Sequence, residues 1–68
     1  MTPKMFAALV EAFNLQRAFF EFRGCDITPG NRRMMGTLTQ AGYVKRFNSV
    51  YRVTGLGKQM LRQGGVKW

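Results

Sequence analysis

The segment GYVKRFNSVYRVT, residues 42–54, constrains the fold most, because its pattern predicts two short strands joined by a two-residue turn. Folding it on Asn48-Ser49 predicts four cross-strand pairs: Phe47 with Val50, Arg46 with Tyr51, Lys45 with Arg52, and Val44 with Val53. The last pair would hold the hairpin to the core. Lys45 and Arg52 are two cations in direct opposition, which destabilises a hairpin in water. A phosphate between them would form a two-pronged anion site, whereas without an anion the charges only keep an edge hairpin soluble.

The chain is strongly basic for its size. Its 68 residues contain eleven Lys and Arg against three Asp and Glu, which gives a formal net charge of +8. Hydrophobic residues make up 46%, so we expect a single folded domain rather than a disordered chain. A positive excess of this size is typical of small proteins that bind a polyanion, such as DNA, RNA or an acidic membrane surface.

The composition predicts no metal, no cofactor and no membrane span. The chain has no His and a single cysteine, Cys25, so a zinc site and an internal disulfide are both excluded and a cytoplasmic location is expected. Polar residues such as Glu11 and Arg17 interrupt the apolar stretch 5–22, so it should not cross a bilayer. The sequence GLGK (residues 55–58) lacks the flanking residues of a phosphate-binding loop. Its glycines are expected to allow tight packing of the last helix on the hairpin.

Catalysis is not expected either. Without His, the three acids provide no evident general acid–base pair, and Cys25 has no base nearby in the sequence. Glu11 and Glu21 are expected to face solvent. The chain is therefore predicted to be a binding protein and not an enzyme.

Capping signals divide the N-terminal part into helices. Thr2-Pro3 is an N-cap followed by proline at the first helical position, which predicts a first helix from Pro3 to about Phe13. Asn14 can cap a second helix that ends at Gly24. The apolar face of that helix would consist of Leu15, Ala18, Phe19 and Phe22. One helix continuing through Asn14 is the alternative, although two are preferred.

Thr28-Pro29 repeats the same start signal. It predicts a third helix that runs from Pro29 to Ala41 and ends at Gly42. The buried face of this helix would consist of Met34, Met35 and Leu38.

The chain after the hairpin is predicted to form one more short helix. Thr54 would cap it and Gly64-Gly65 would close it. We therefore predict an α+β fold with a single domain over residues 1–63 and a C-terminal tail over residues 64–68.

This order of elements, together with two segments, resembles the winged helix-turn-helix DNA-binding domain of bacterial and phage regulators. NLQRAFFEFRGCDITPGNRRMMGTLTQAGYVKR (residues 14–46) is similar to the family's paired helices leading into the first wing strand. VYRVTGLGKQML (residues 50–61) is similar to its second wing strand and following helix. Two residues depart from the pattern: Asn31 stands where the family usually has a buried aliphatic, and Gly36 weakens the recognition helix. The resemblance implies a small winged helix-turn-helix with three helices, a two-stranded hairpin wing and a short C-terminal helix.

The resemblance also implies that the chain binds double-stranded DNA, as a transcriptional regulator or an accessory factor in DNA transactions. The third helix would enter the major groove and the hairpin would follow the backbone. The predicted DNA contacts are Arg32, Arg33, Thr37 and Gln40 on the helix, and Lys45, Arg46, Asn48 and Arg52 on the hairpin. Gly36 would let the helix backbone approach the DNA closely. A homodimer is plausible, because one module gives modest affinity.

Other functions stay open. The same fold can serve as a protein-interaction module that inhibits a host or partner enzyme, for example by blocking a nucleic-acid channel. RNA binding also fits the charge, although no exposed aromatic platform on a sheet is expected. Phe20 and Trp68 are candidate partner contacts, with core packing and a disordered tail as their respective alternatives. A cation–π contact with Tyr51 is the alternative role for Arg46.

Overall fold

A computed structural model of the protein describes residues 1–66, which begin with one long helix. This helix, α1, spans Pro3–Phe19. Its start is as predicted, because the Thr2 Oγ1 accepts a hydrogen bond from the Met5 N–H at 3.2 Å. The preferred prediction of two helices separated at Asn14 is wrong. Asn14 is exposed, and neither Gly nor Pro follows the first residue of α1 to interrupt its hydrogen bonds.

The chain leaves α1 at Phe20, whose backbone has a φ of 73°. The segment predicted to complete a second helix instead forms a short strand, β1 (Phe22–Arg23), and a 3₁₀ turn over Gly24–Asp26. The Phe22 ring is buried and stacks on the ring of Tyr51, with centroids 5.9 Å apart. This contact with a distant part of the chain decides the conformation, because strand formation depends on the partner surface more than on local preference.

The predicted third helix is divided into two. α2 spans Pro29–Arg32 and α3 spans Met34–Gln40, with a break at Arg33. Gly30 and Asn31 in the middle of α2 are weak helix formers, which accounts for the short first segment. Of the predicted buried face, Met35 and Leu38 are buried, whereas Met34 is half-buried against the core. The helix ends before Gly42, as predicted, and the φ of Gly42 is 86°.

The hairpin forms with the predicted register. Its strands are β2 (Val44–Phe47) and β3 (Val50–Val53), and all four cross-strand pairs are those expected from the sequence. Asn48 turns the chain with a φ of 55°, a conformation that Asn tolerates better than most residues. The hairpin is not a free two-stranded unit, however. β1 pairs with the other edge of β3, which makes a three-stranded antiparallel sheet in the order β1-β3-β2.

The last helix, α4 (Gly55–Gln63), is anchored at its start. The Thr54 Oγ1 accepts a hydrogen bond from the Gly57 N–H at 3.1 Å and donates one to the Gly42 carbonyl at 2.6 Å. Gly57 is buried, and a Cβ there would overlap the Tyr43 carbonyl oxygen. This confirms that a glycine of GLGK allows α4 to pack tightly beside the hairpin.

The chain stays on the domain after α4. Val66 is half-buried against the core, and its N–H donates to the Leu61 carbonyl at 2.9 Å. Trp68, with the partner role predicted for it, lies outside the described residues.

A single hydrophobic core joins the helices to the inner face of the sheet. Its buried side chains are Ala8, Leu9, Ala12, Phe13, Phe22, Ile27, Met35, Leu38, Val44, Val53 and Leu61. Residues 1–66 thus form a small α+β domain. None of the helices within them combines the length and apolar character that a membrane span requires.

Candidate nucleic-acid interface

The outer face of α3 carries three of the predicted DNA contacts. Arg33 immediately precedes α3 and has a helical backbone conformation, so it lies on the same side as Thr37 and Gln40, and all three are exposed. Within residues 1–66, the Arg33 guanidinium makes no hydrogen bond or ion pair. Gly36 lies on the same side, and a Cβ built there would meet nothing within 4 Å. The helix therefore presents polar groups around an unobstructed stretch of backbone.

A cation that is not among the predicted DNA contacts lies beside this face. An open depression of about 600 Å³ is lined by Lys4, Pro29, Gly30, Asn31, Arg33 and Met34. Lys4 belongs to the first turn of α1, and the packing of α1 against α2 brings it to Arg33. No local signal in the sequence predicts this proximity, because it depends on a contact between distant segments.

Arg32 is oriented differently from its neighbour. Its Nε donates to the Gly24 carbonyl at 2.9 Å, and its terminal nitrogen donates to the carbonyls of Ile27 at 3.1 Å and Cys25 at 3.5 Å. These bonds hold the 3₁₀ turn to α2. The guanidinium is thus engaged within the molecule, and we do not include it in the α3 face.

Glu11 fixes the position of α2 and hence the start of α3. Its carboxylate accepts hydrogen bonds from the Thr28 N–H at 3.0 Å, the Thr28 hydroxyl at 2.7 Å and the Asn31 amide at 2.7 Å. The expectation that Glu11 faces solvent is wrong, since its side chain is half-buried where α1 meets α2. Asn31, which departs from the family pattern, is one of its donors.

The hydrogen bonds also set the protonation of this carboxylate. Burial alone raises the pKa of Glu11, but the bonds from Asn31 and Thr28 favour the charged form more strongly. The pKa of Glu11 is therefore lowered from its ordinary value, and the carboxylate is charged at neutral pH.

Lys45 and Arg52 lie opposite each other on the outer face of the sheet, the face turned away from the core. Each side chain ends near a different aromatic ring. The Lys45 Nζ is 4.8 Å from the Phe47 ring centroid, and the Arg52 Cζ is 4.6 Å from the Phe20 centroid. Within residues 1–66, neither cation pairs with a carboxylate.

The other two predicted hairpin contacts belong to the turn. The Arg46 Nε donates to the Asn48 carbonyl at 2.7 Å, and both residues are exposed. The Arg46 Cζ is 6.0 Å from the Tyr51 ring centroid, which confirms the cation–π contact predicted for this pair. Arg46 therefore helps to close the turn, and Asn48 lies at its tip.

Several aromatic side chains are exposed. Phe19 is 69% exposed, Phe20 67% and Phe47 51%. Core packing, the alternative considered for Phe20, is wrong. Phe47 also places an exposed ring on the outer face of the sheet, where none was expected. In the sequence, the exposure of Phe20 is signalled by its position off the apolar stripe of the predicted helix. For Phe47 the only signal is the alternation of inward and outward residues along the strand.

Comparison with known proteins finds no similar one: no protein-family model matches the chain, and no curated protein or solved structure matches it. Within residues 1–66, no three His, Cys, Asp or Glu side chains are grouped so that they could hold a metal ion.

Proposed function

We propose that this protein binds double-stranded DNA as a small winged helix-turn-helix transcriptional regulator or accessory factor in DNA transactions. In this proposal α3 enters the major groove and the hairpin follows the DNA backbone. The observation that carries it is the exposed face of α3, where Arg33, Thr37 and Gln40 surround the unobstructed backbone at Gly36.

The side chains on this face are of the types that read base edges. Arg can donate two hydrogen bonds to guanine, and Gln can pair with the two major-groove groups of adenine. Thr can bond to either or contact the thymine methyl group. Gly36 lets the helix backbone lie close to the groove floor, which a larger residue in the middle of the face would prevent.

The charges around the face supply contacts that are independent of sequence. Lys4 lies beside Arg33 at one end, and Lys45 and Arg52 extend from the sheet. Each cation placed on a phosphate displaces a counterion and adds to affinity at low salt. With a net charge of +8, the chain is attracted to a duplex before any base is read.

The proposal is tested by selecting preferred sites from a library of random duplexes and measuring two variants on them. Arg33→Ala and Gln40→Ala should each weaken the selected site by about 1–3 kcal/mol and affect random DNA much less. Gln59→Ala, which changes an exposed Gln of α4, is the matched control and should change neither. Equal losses on selected and random duplexes would limit these residues to backbone contacts. Failure to enrich any sequence would contradict base reading by α3.

A further inference from the structure

A second cationic surface lies at the end of α1, away from the α3 face. It is a groove of about 290 Å³ lined by Phe13, Gln16, Arg17, Phe20, Arg52 and Lys58. Three of these side chains are cations and two are aromatic, and none of the described residues that line the groove is an acid. It shares no residue with the α3 face or with the depression beside Lys4.

The aromatic rings of this groove are associated with its cations. The Arg52 Cζ is 4.6 Å from the centroid of Phe20, and the Arg17 Cζ is 5.8 Å from that of Phe13. Phe13 is buried, whereas Phe20 is 67% exposed. The groove thus combines a buried ring, an exposed ring and positively charged edges.

Phe20 is held in this exposed position at a conformational cost. Its φ of 73° is in the region that side-chain-bearing residues rarely adopt. Such strained residues persist where the surroundings enforce them, and they concentrate at ligand sites. An exposed ring on a strained backbone contributes little to folding, which favours a role in contact with a partner.

Gln16 adds a directional polar group to the groove. Its Oε1 accepts the hydrogen bond of the Val53 N–H, which fixes the orientation of the side-chain amide. Within residues 1–66, its amide nitrogen has no partner, so it can donate to a ligand.

We propose that this groove binds an unpaired nucleotide of a single-stranded nucleic acid. The base stacks on Phe20 beside the Gln16 amide, and Arg17, Arg52 and Lys58 bind the flanking phosphates. Proteins that hold single strands combine a cationic groove with aromatic rings in this manner, because every unpaired base has an open face. A duplex leaves no such face for Phe20, and an apolar peptide would leave three cations without a counter-charge.

The test measures binding of the full chain to a labelled oligothymidylate. Phe20→Gly removes the ring and also relieves the strained backbone, so the variant should fold at least as well. It should weaken strand binding about 5- to 150-fold, the effect expected for losing the stacking of one base. Phe19→Ala is the matched control, because Phe19 is 69% exposed but does not line the groove, and it should change binding little.

Further measurements distinguish base stacking in this groove from duplex binding and from attraction by charge alone. Arg52 serves both proposals, but Phe20→Gly keeps its charge and should leave duplex affinity nearly unchanged. Arg33→Ala should leave strand affinity nearly unchanged, so the two proposals can fail independently. The inference is overturned if Phe20→Gly binds the strand normally or if Phe19→Ala loses as much. It is also overturned if an abasic strand or a single mononucleotide binds as tightly as the oligothymidylate.

Discussion

Lys45 and Arg52 oppose each other across the hairpin, yet their charged ends lie near two different rings, Phe47 and Phe20. A cation near an aromatic face at an exposed site gains about 0.5–1 kcal/mol. Cross-strand pairs contribute about 0.2–1 kcal/mol, and like charges do so unfavourably. The two effects are of similar size, so the free protein tolerates the pair and both cations remain available for a phosphate.

The variant Lys45→Thr separates stability from binding. It removes both the repulsion and the contact with Phe47, so stability should change by no more than about 0.5 kcal/mol, or roughly 2–4 °C in melting temperature. Affinity should fall about equally for all duplexes, and the salt slope should become shallower by about one unit. Lys45→Arg keeps the charge and should preserve both the duplex affinity and the salt slope. A destabilised Lys45→Thr protein with unchanged DNA affinity would assign Lys45 to the fold.

Residues with local signals could be predicted from the sequence, whereas those with distant partners could not. Thr2 and Thr54 cap their helices as expected, because an N-cap bonds within its own first turn. Glu11 was misjudged because its donors, Thr28 and Asn31, are 17 and 20 residues away. Among the candidate site residues, the exposure of Arg33 was predictable and the proximity of Lys4 was not.

At the scale of elements, Glu11 links α1 to α2, and this link should depend on pH. Because the folded-state pKa of Glu11 is lowered, its contribution is present above the unfolded value of about 4.3 and is lost as pH falls through the folded pKa. Glu11→Gln should lower the free energy of unfolding by about 1–3 kcal/mol at pH 7. The difference from the parent should shrink as urea unfolding is measured from pH 6 down to about pH 3. Glu21→Gln changes an exposed acid and is the control, and a similar pH dependence in that variant would contradict the assignment.

Replacing two helical glycines with alanine should change the stability of the protein in opposite directions. Gly57→Ala places a Cβ against the Tyr43 carbonyl and should destabilise the protein by about 1–3 kcal/mol. Gly36→Ala adds a methyl group in open space and should stabilise α3 by about 0.5–1 kcal/mol. If the backbone of α3 approaches DNA at this point, Gly36→Ala should nevertheless bind duplexes more weakly. Thermal melting and duplex titration of both variants check this, and unchanged duplex affinity of Gly36→Ala would contradict close approach.

The helices and strands differ in how well the sequence predicts them. The register of β2 and β3 follows from a two-residue turn and strict alternation, so it could be predicted residue by residue. The continuity of α1 through Asn14 could not, because a polar residue on an exposed helix side is compatible with one helix or two. β1 was missed because its strand conformation depends on pairing with β3, in which Phe22 lies opposite Tyr51.

At the scale of the whole molecule, cations surround the core on more than one side. One group lies at the α3 face with Arg33 and Lys4, and a second lies at the outer sheet face and its adjoining groove with Lys45, Arg52 and Arg17. Composition could predict the charge but not its separation into surfaces, which results from the packing of α1 against the other helices and the sheet. The small α+β class was predictable, whereas the third strand was not.

The most direct test of the central claim is the affinity of the full chain for duplex DNA measured over a range of salt concentrations. If Lys4, Lys45 and Arg52 each neutralise one phosphate, log K should fall against log salt with a slope of about −2.7. Lys45→Thr should make that slope shallower by about one unit on random duplex, whereas Arg33→Ala, which removes a base contact, should leave it nearly unchanged. A flat salt dependence, or no binding at low ionic strength, would contradict a duplex as the partner of this surface.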